Sequence, residues 1–180
     1  LHSIDYSSAV DANYKNNFQF KDRLKLSQAS IYEMPFEDNK FDKVFCFGVL
    51  QHTPSFKKSL SSLIKKTKCG GEIIVDFYPI KGWYTKLHSK YIFRIITTKL
   101  THKKLNKLIV SNINWMIKLF DFLCSINLKI LTRFIPIADI SLFPKNLSKS
   151  QRKEWAIMDT FDAFSPQYDN PMRINEVKKL

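Results

Sequence analysis

Short apolar runs and amphipathic stretches alternate along the first 80 residues. His2-Ser3-Ile4 leads into Asp5 as the end of a strand. Ser7 or Ser8 can then cap a helix to about Asn17, through a hydroxyl that accepts an otherwise unpaired amide hydrogen. Leu24 and Leu26 alternate with polar residues through Ala29, which predicts a second strand. The nearly continuous apolar run Lys43-Val44-Phe45-Cys46-Phe47 predicts a strand buried on both faces. Ser55 opens a helix with Leu60, Leu63 and Ile64 on one side and Lys57, Lys58, Lys65 and Lys66 outside. Gly70-Gly71 turns the chain into another buried strand, Glu72 to Phe77. Strand, helix, strand, strand, helix, strand on short links predicts an α/β fold with a mainly parallel sheet.

After Gly82 the period is helical throughout. Tyr84, Leu87, Tyr91, Ile95 and Ile96 form one apolar stripe, and Leu105, Leu108 and Ile109 a short second one. A longer stripe from Ile113 to Phe134 carries Trp115, Leu119, Phe122, Leu123, Ile126 and Ile130, and Pro136 ends it. Ser148 begins a further helix through about Met158. The longest charge-free apolar stretch here, Leu108 to Ile117, is closed by Lys118. That is far short of the roughly 20 residues a membrane span needs, so no crossing is expected.

Charge divides the chain at the same place as the pattern. The formal net charge is +13, of which residues 1–80 carry only +2 and residues 81–180 carry +11. Such a balance admits nucleic acid, an anionic membrane surface or an acidic substrate as partners. Cys46, Cys69 and Cys124 are odd in number and widely spaced, without a C-x-x-C. That argues against a disulfide framework or a cysteine metal site, no metal is expected, and a cytoplasmic location is. Nothing after Leu1 has the layout of a signal peptide.

Asp5 is the first residue of chemical interest. At the carboxyl end of a parallel strand an acidic side chain can accept hydrogen bonds from both hydroxyls of a ribose, and its plain alternative role is a helix cap. Downstream come Met34-Pro35-Phe36, Phe41-Asp42-Lys43-Val44, Val49-Leu50-Gln51-His52 and Lys68-Cys69-Gly70-Gly71. With Asp5, their order and spacing over about 75 residues resemble a class I S-adenosylmethionine-dependent methyltransferase of the small-molecule type. The segment Trp155 to Pro171 is similar to one found in a subset of that family with a helical insert before its last helix, and Glu176-Val177-Lys178-Lys179-Leu180 looks like the start of that helix.

The resemblance implies a partial doubly wound Rossmann-like fold, S-adenosylmethionine as cofactor and methyl transfer to a small-molecule or lipid-linked acceptor. It assigns Asp5, with Tyr6 beside it, to the cofactor ribose, Ser30 and Ile31 to the adenine, and Phe47 and Gly48 to the pocket wall. Ser30 departs from the family pattern, which usually has an acidic residue there; a hydroxyl still accepts, without charge. His52 stands where the fourth family strand opens onto the cofactor, and histidine is the residue type best suited to a general base near neutrality; a structural hydrogen bond is its alternative role. Asp76, Tyr78, Asp159, Asp162 and Tyr168 are further candidates for substrate contact, the two aspartates sharing a helix face or lying in a solvated loop. The family's first strand and glycine loop have no counterpart here, and only four glycines occur. The expectation is therefore an internal fragment, inactive alone, whose four strands form two pairs where relatives have a continuous sheet.

Three regions are expected: a partial cofactor-binding core over 1–80, a basic helical insert or lid over 81–158, and a loop with the start of the last core helix over 159–180. Between 81 and 110 there are eight basic and no acidic side chains, interleaved with Trp83, Tyr84, Tyr91 and Phe93. These lysines either face water on a lid or bring the chain to an anionic membrane at its inner face. Nucleic-acid binding is not expected, since no recognised module accompanies the charge. Two other functions fit less of the motif run: a nucleotide-sugar or dinucleotide enzyme, and a non-catalytic membrane-surface module.

Overall fold

A computed structural model describes residues 1–180. In chain order the elements are β1 (His2–Asp5), α1 (Ala9–Asn16), β2 (Lys25–Gln28), β3 (Phe41–Cys46), α2 (Phe56–Lys66) and β4 (Thr67–Val75). Then follow α3 (Ser89–Thr97), α4 (His102–Ser125), α5 (Lys149–Phe164) and the short α6 (Ile174–Val177), with single 3₁₀ turns between. The chain divides into two compact units: Leu1–Pro79 with Tyr168–Leu180, and Ile80–Gln167.

The first unit is α/β with parallel strands. β1 pairs with β2 from His2 opposite Lys25 to Asp5 opposite Gln28. β3 pairs with β4, Lys43 opposite Glu72 through Cys46 opposite Val75. Phe41 lies opposite Thr67, so the register jumps there and Lys68 to Gly71 loop out, with Gly70 at φ 77°. The pairs form two separate two-stranded sheets, as the motif resemblance implies. Rings bridge their starts: His2 lies edge-on to Phe36 at 5.3 Å and to Phe41 at 5.5 Å, and Phe36 meets Phe41 at 5.0 Å. Their carboxyl ends share a core of Cys46, Leu50, Phe56, Leu60 and Leu63, against which Ile31 after β2 packs.

Two expectations fail here for one reason. β3 and β4 are not buried on both faces: Val44 and Cys46 face the core, while Phe45 is 57% exposed and Ile74 is exposed too. With only two strands per sheet and α2 packed on one side, the opposite face stays uncovered. On α2 the Ser55 hydroxyl accepts from the Lys58 amide as expected, but Ile64 is exposed and Lys66 is not free in solvent. Its ammonium donates to the Phe36 carbonyl at 2.6 Å and pairs with Asp38 at 2.8 Å, holding the β2–β3 connection and lowering the Asp38 pKa.

In the helical unit Leu105, Ile109 and Ile113 of α4, joined by Met116 and Phe120, pack with Ile135, Ile137 and Ile140 and with Ala156 and Phe164 of α5, whereas Trp115, Leu119, Phe122, Ile126 and Ile130 of the predicted longer stripe are exposed. The two stripes predicted over 105–109 and from 113 are one continuous helix, which ends at Ser125 before a 3₁₀ run, Lys129–Phe134. Ser148 and Gln151 form a reciprocal capping box at the start of α5. That helix runs to Phe164, past the expected Met158, because Phe161, Ala163 and Phe164 continue to pack on the same core. Asp121 and Arg152 tie α4 to α5 through two hydrogen bonds of 2.6 and 2.7 Å.

α3 reverses the predicted stripe. It buries Ser89, Arg94 and Thr97, while Ile95 and Ile96 are 69% and 63% exposed. The buried polar groups find carbonyls: Ser89 donates to Ile135 at 2.7 Å, Thr97 to Phe164 at 3.1 Å, and Arg94 to Ala163 at 3.3 Å and Pro166 at 2.6 Å. Arg94 thereby places a cation at the carboxyl end of α5, where terminal carbonyls need donors.

His88 caps α3, its Nδ1 accepting from the Lys90 amide at 3.2 Å. Burial first, then Arg133 and Lys90, lower its pKa from 6.5, with Asp139 opposing. Protonation would remove the accepting lone pair. The unfolded chain then binds the proton more readily than the folded one, so this stability is complete above pH 6.5 and declines as the pH falls below it. Trp83, Trp115 and Trp155 all lie in this unit. Urea unfolding followed by tryptophan fluorescence should give a midpoint that falls between about pH 7 and 5, and His88→Asn, which caps without titrating, should flatten that fall.

Candidate functional site

Each strand of the first unit ends in residues that carry chemistry. β1 ends at Asp5, whose Oδ1 accepts from both the amide and the hydroxyl of Ser7 at 2.7 Å. These contacts close a turn ahead of α1 and do not cap the helix, whose first amide, that of Ala9, is met by the Ser7 hydroxyl at 3.2 Å; the Asp5 side chain is exposed, as is neighbouring Tyr6, and Oδ2 takes no hydrogen bond. The Gln28 side chain at the end of β2 donates from Nε2 to the Tyr6 carbonyl at 3.2 Å, linking the two strand ends.

Beyond β2 the chain turns at Ser30, whose hydroxyl accepts from the Tyr32 amide at 3.2 Å. The Tyr32 hydroxyl donates to the Ser55 carbonyl and accepts from the Ser55 amide at 3.3 and 3.0 Å. It pins this turn to the head of α2 and sets Ile31 against the shared core.

β3 opens at Phe47, which is exposed, and Gly48, at φ 69°. The Gly48 amide donates to the Asp76 carboxylate at 2.6 Å, so the residue just after β4 fixes the turn just after β3. Nothing lies within 4 Å of where a Gly48 Cβ would be, which leaves open space beside the turn. Cys46 is no nucleophile: burial, and secondarily Asp76, push its thiol up to about 11, so it stays protonated near neutrality.

The 3₁₀ turn Leu50–His52 follows. His52 is half-buried, its Nδ1 3.1 Å from the Tyr168 carbonyl and its ring edge-on to Tyr78 at 5.7 Å. A carbonyl only accepts, so Nδ1 carries the hydrogen and a neutral imidazole keeps its lone pair on Nε2. The returning segment clamps this turn: the Asn170 amide donates to the Gln51 carbonyl and its side chain to the Thr53 carbonyl, both at 2.8 Å. The Met172 amide donates to the Tyr78 carbonyl at 3.0 Å.

The first unit thus brings His52, Tyr78 and Tyr168 together, and sets Ile31 in the core under the Leu50–His52 turn. Asp159 and Asp162 belong to the other unit, on helical rather than looped chain; burial, then Asp162, raises the Asp159 pKa. Sequence reading overlooked Gln51 and Asn170. Gln51 is buried with its Oε1 lacking a hydrogen-bond partner. Its place in the Val-Leu-x-His run is the unspecified one, so no motif signal marks it.

A nucleoside cofactor fits these groups in part: a carboxylate oxygen open at Asp5, a hydroxyl at Ser30, and space beside Gly48.

The family described as "Methyltransferase domain" matches residues 1–75. The tRNA U34 carboxymethyltransferase of Nautilia profundicola is 39% identical over 67 residues, 37% of this chain and 22% of that one. The phosphoethanolamine N-methyltransferase 2 of Caenorhabditis elegans is 36% identical over 80 residues, 43% of this chain and 18% of that one. The chain therefore spans about a fifth of the length of these curated relatives. Among solved structures, the YcgJ protein of Bacillus subtilis matches with a TM-score of 0.44 at 17% identity, over 52% of this chain and 42% of that one. A tRNA enzyme among the relatives gives no support to setting nucleic acid aside as a partner.

The positive φ at Gly48 makes that position testable. Gly48→Ala has room for its methyl but not the backbone preference, and should cost about 1–2 kcal/mol in urea unfolding followed by far-ultraviolet circular dichroism. Gly70→Ala, strained in the loop away from the site, is the comparison for stability without a site effect.

Proposed function

We propose that residues 1–75, which match the methyltransferase-domain family, carry part of a class I S-adenosylmethionine-dependent methyltransferase domain, and that the protein transfers a methyl group to a small-molecule or lipid-linked acceptor. When bound, S-adenosylmethionine supplies an electrophilic sulfonium methyl for in-line displacement. The protein's residues have three tasks. Asp5, through its open oxygen and with Tyr6 beside it, accepts from the ribose hydroxyls; Ser30 and Ile31 flank the adenine; Phe47 and Gly48 form the wall above them. His52 takes the proton of the acceptor at Nε2, while the Tyr168 carbonyl at 3.1 Å holds its tautomer. Tyr78, against the imidazole edge, orients the acceptor. Asp159 and Asp162 remain proposed acceptor contacts on sequence grounds.

The observation that carries this reading is the fixed tautomer of His52 beside an open turn at Gly48, each held by a polar contact from another segment. A small polar acceptor and a lipid-linked one share the need for a base on a protonated nucleophile. The phosphoethanolamine enzyme among the relatives supports that class, and the tRNA enzyme supports a nucleoside acceptor as the second reading. A reducing cytoplasm is proposed as the setting, in keeping with three unpaired thiols.

Two substitutions in the full protein separate the roles. Asp5→Ala should weaken calorimetric binding of S-adenosylhomocysteine about tenfold or more, equivalent to roughly 1.4 kcal/mol. His52→Gln should leave that affinity within about twofold and lower turnover by about 10²–10⁴ at neutral pH. Unchanged cofactor affinity in Asp5→Ala would remove the ribose assignment.

A further inference from the structure

The helical unit Ile80–Gln167 contains 15 basic and 5 acidic side chains, a net of +10. Its interior is complete: α4 and α5 bury their apolar faces on one another, and α3 satisfies its polar side on carbonyls of the same unit. A second apolar surface is left outside. Ile92, Ile95 and Ile96 stand at i, i+3 and i+4 on α3, opposite the buried Arg94 and Thr97. On α4, Leu108, Trp115, Leu119, Phe122 and Ile126 at its carboxyl cap are exposed at spacings of 7, 4, 3 and 4, a single stripe at about 100° per residue. Lys104, Lys107 and Lys118 run beside that stripe by the same count. The 3₁₀ run Lys129–Phe134 continues it with Ile130, 71% exposed. The Arg133 guanidinium lies over the rings of Tyr84 at 5.6 Å and Phe134 at 5.9 Å, which joins Trp83, 80% exposed, to the same region.

We infer that this surface docks on a bilayer rich in anionic lipid. Branched and aromatic side chains projecting outward beside lysines match the chemistry of a headgroup layer: the rings and isoleucines enter it, and the ammonium groups stay at its charged boundary. A cleft of about 400 Å³ is lined by His88, Lys129, Thr132 and Arg133 over an apolar floor of Phe120 and Ile137. Lys129 and Arg133 put two cations at that cleft, chemistry that suits a lipid phosphate. Asp139, the acidic residue of that cleft, is engaged by the amide and hydroxyl of Ser141. α4, with 24 residues, is long and apolar enough to cross a membrane. Its Leu105-to-Phe120 face is nevertheless packed within the unit, and Asp121 is paired with Arg152, so the helix lies along the surface. The inference concerns binding alone and does not depend on methyl transfer.

The test is flotation of the full chain with vesicles of phosphatidylcholine, alone or mixed in equal parts with phosphatidylglycerol. Binding should require the anionic lipid, be released by high salt, and shift the tryptophan emission to the blue. The double variant Ile92→Ser, Ile95→Ser, at exposed positions that leave circular dichroism unchanged, should weaken vesicle binding about tenfold or more. The triple variant Lys104→Glu, Lys107→Glu, Lys118→Glu should abolish the response to phosphatidylglycerol. Equal binding by folded variants and the original chain would overturn the inference. So would retention after alkaline carbonate washing, which marks a spanning helix, or displacement from the vesicles by equimolar tRNA, which marks a nucleic-acid surface.

Discussion

Parallel pairing is the constraint from which the site follows. A strand that pairs parallel to its predecessor must be reached by a crossover, so both members of a pair finish at the same end. In this chain Asp5 ends β1, Ser30 follows β2, Phe47 and Gly48 follow β3, and Asp76 to Tyr78 follow β4. These residues arrive on their own strands, while Tyr168 and Asn170 come from the returning segment. The turns then hold one another: Tyr32 binds the backbone of Ser55, and Asp76 binds the amide of Gly48. The site is thus built from strand ends, with the polar contacts between turns setting its details.

The same pairing sets a cost. Two sheets of two strands leave four edges, each with unpaired amide and carbonyl groups, where one four-stranded sheet would leave two. At the starts of β1 and β3, aromatic contacts among His2, Phe36 and Phe41 substitute for a ladder. Ring contacts of this kind tolerate the absence of strand register, since they depend on centroid distance and tilt and not on alignment of backbone groups. Exposure of Phe45 and Ile74 has the same origin, because a face becomes interior only when something covers it.

Much of the first unit was legible because its signals are local. The end of β1 at Asp5 and the Ser55 cap depend on neighbours within a few residues, as does the Ser148 cap in the second unit. What stayed hidden depends on long-range partners. Lys66 reads as a solvated lysine until Asp38 and the Phe36 carbonyl lie beside it. The roles of Asn170, Gln51 and the Tyr168 carbonyl require a segment more than 110 residues away in sequence to return to the His52 turn. On α3, periodicity located two faces correctly but assigned them the wrong way round. Hydropathy ranks isoleucine inside and arginine outside, yet carries no information on where unpaired helix-end carbonyls are waiting.

Those carbonyls decide the character of the second unit. α5 ends at Phe164, and its final carbonyls would be left without donors if α3 presented isoleucine to them. Burying aliphatic surface on α3 would gain transfer free energy while stranding several polar groups, each at a cost of about 1–3 kcal/mol. Three polar side chains on one helix face satisfy four carbonyls, at Ile135, Ala163, Phe164 and Pro166, and that exchange favours the orientation observed. The outward isoleucines are then a consequence of hydrogen-bond satisfaction inside. An apolar outer face that is forced by the interior, and set beside a net charge of +10, is a feature the unit must either cover or use.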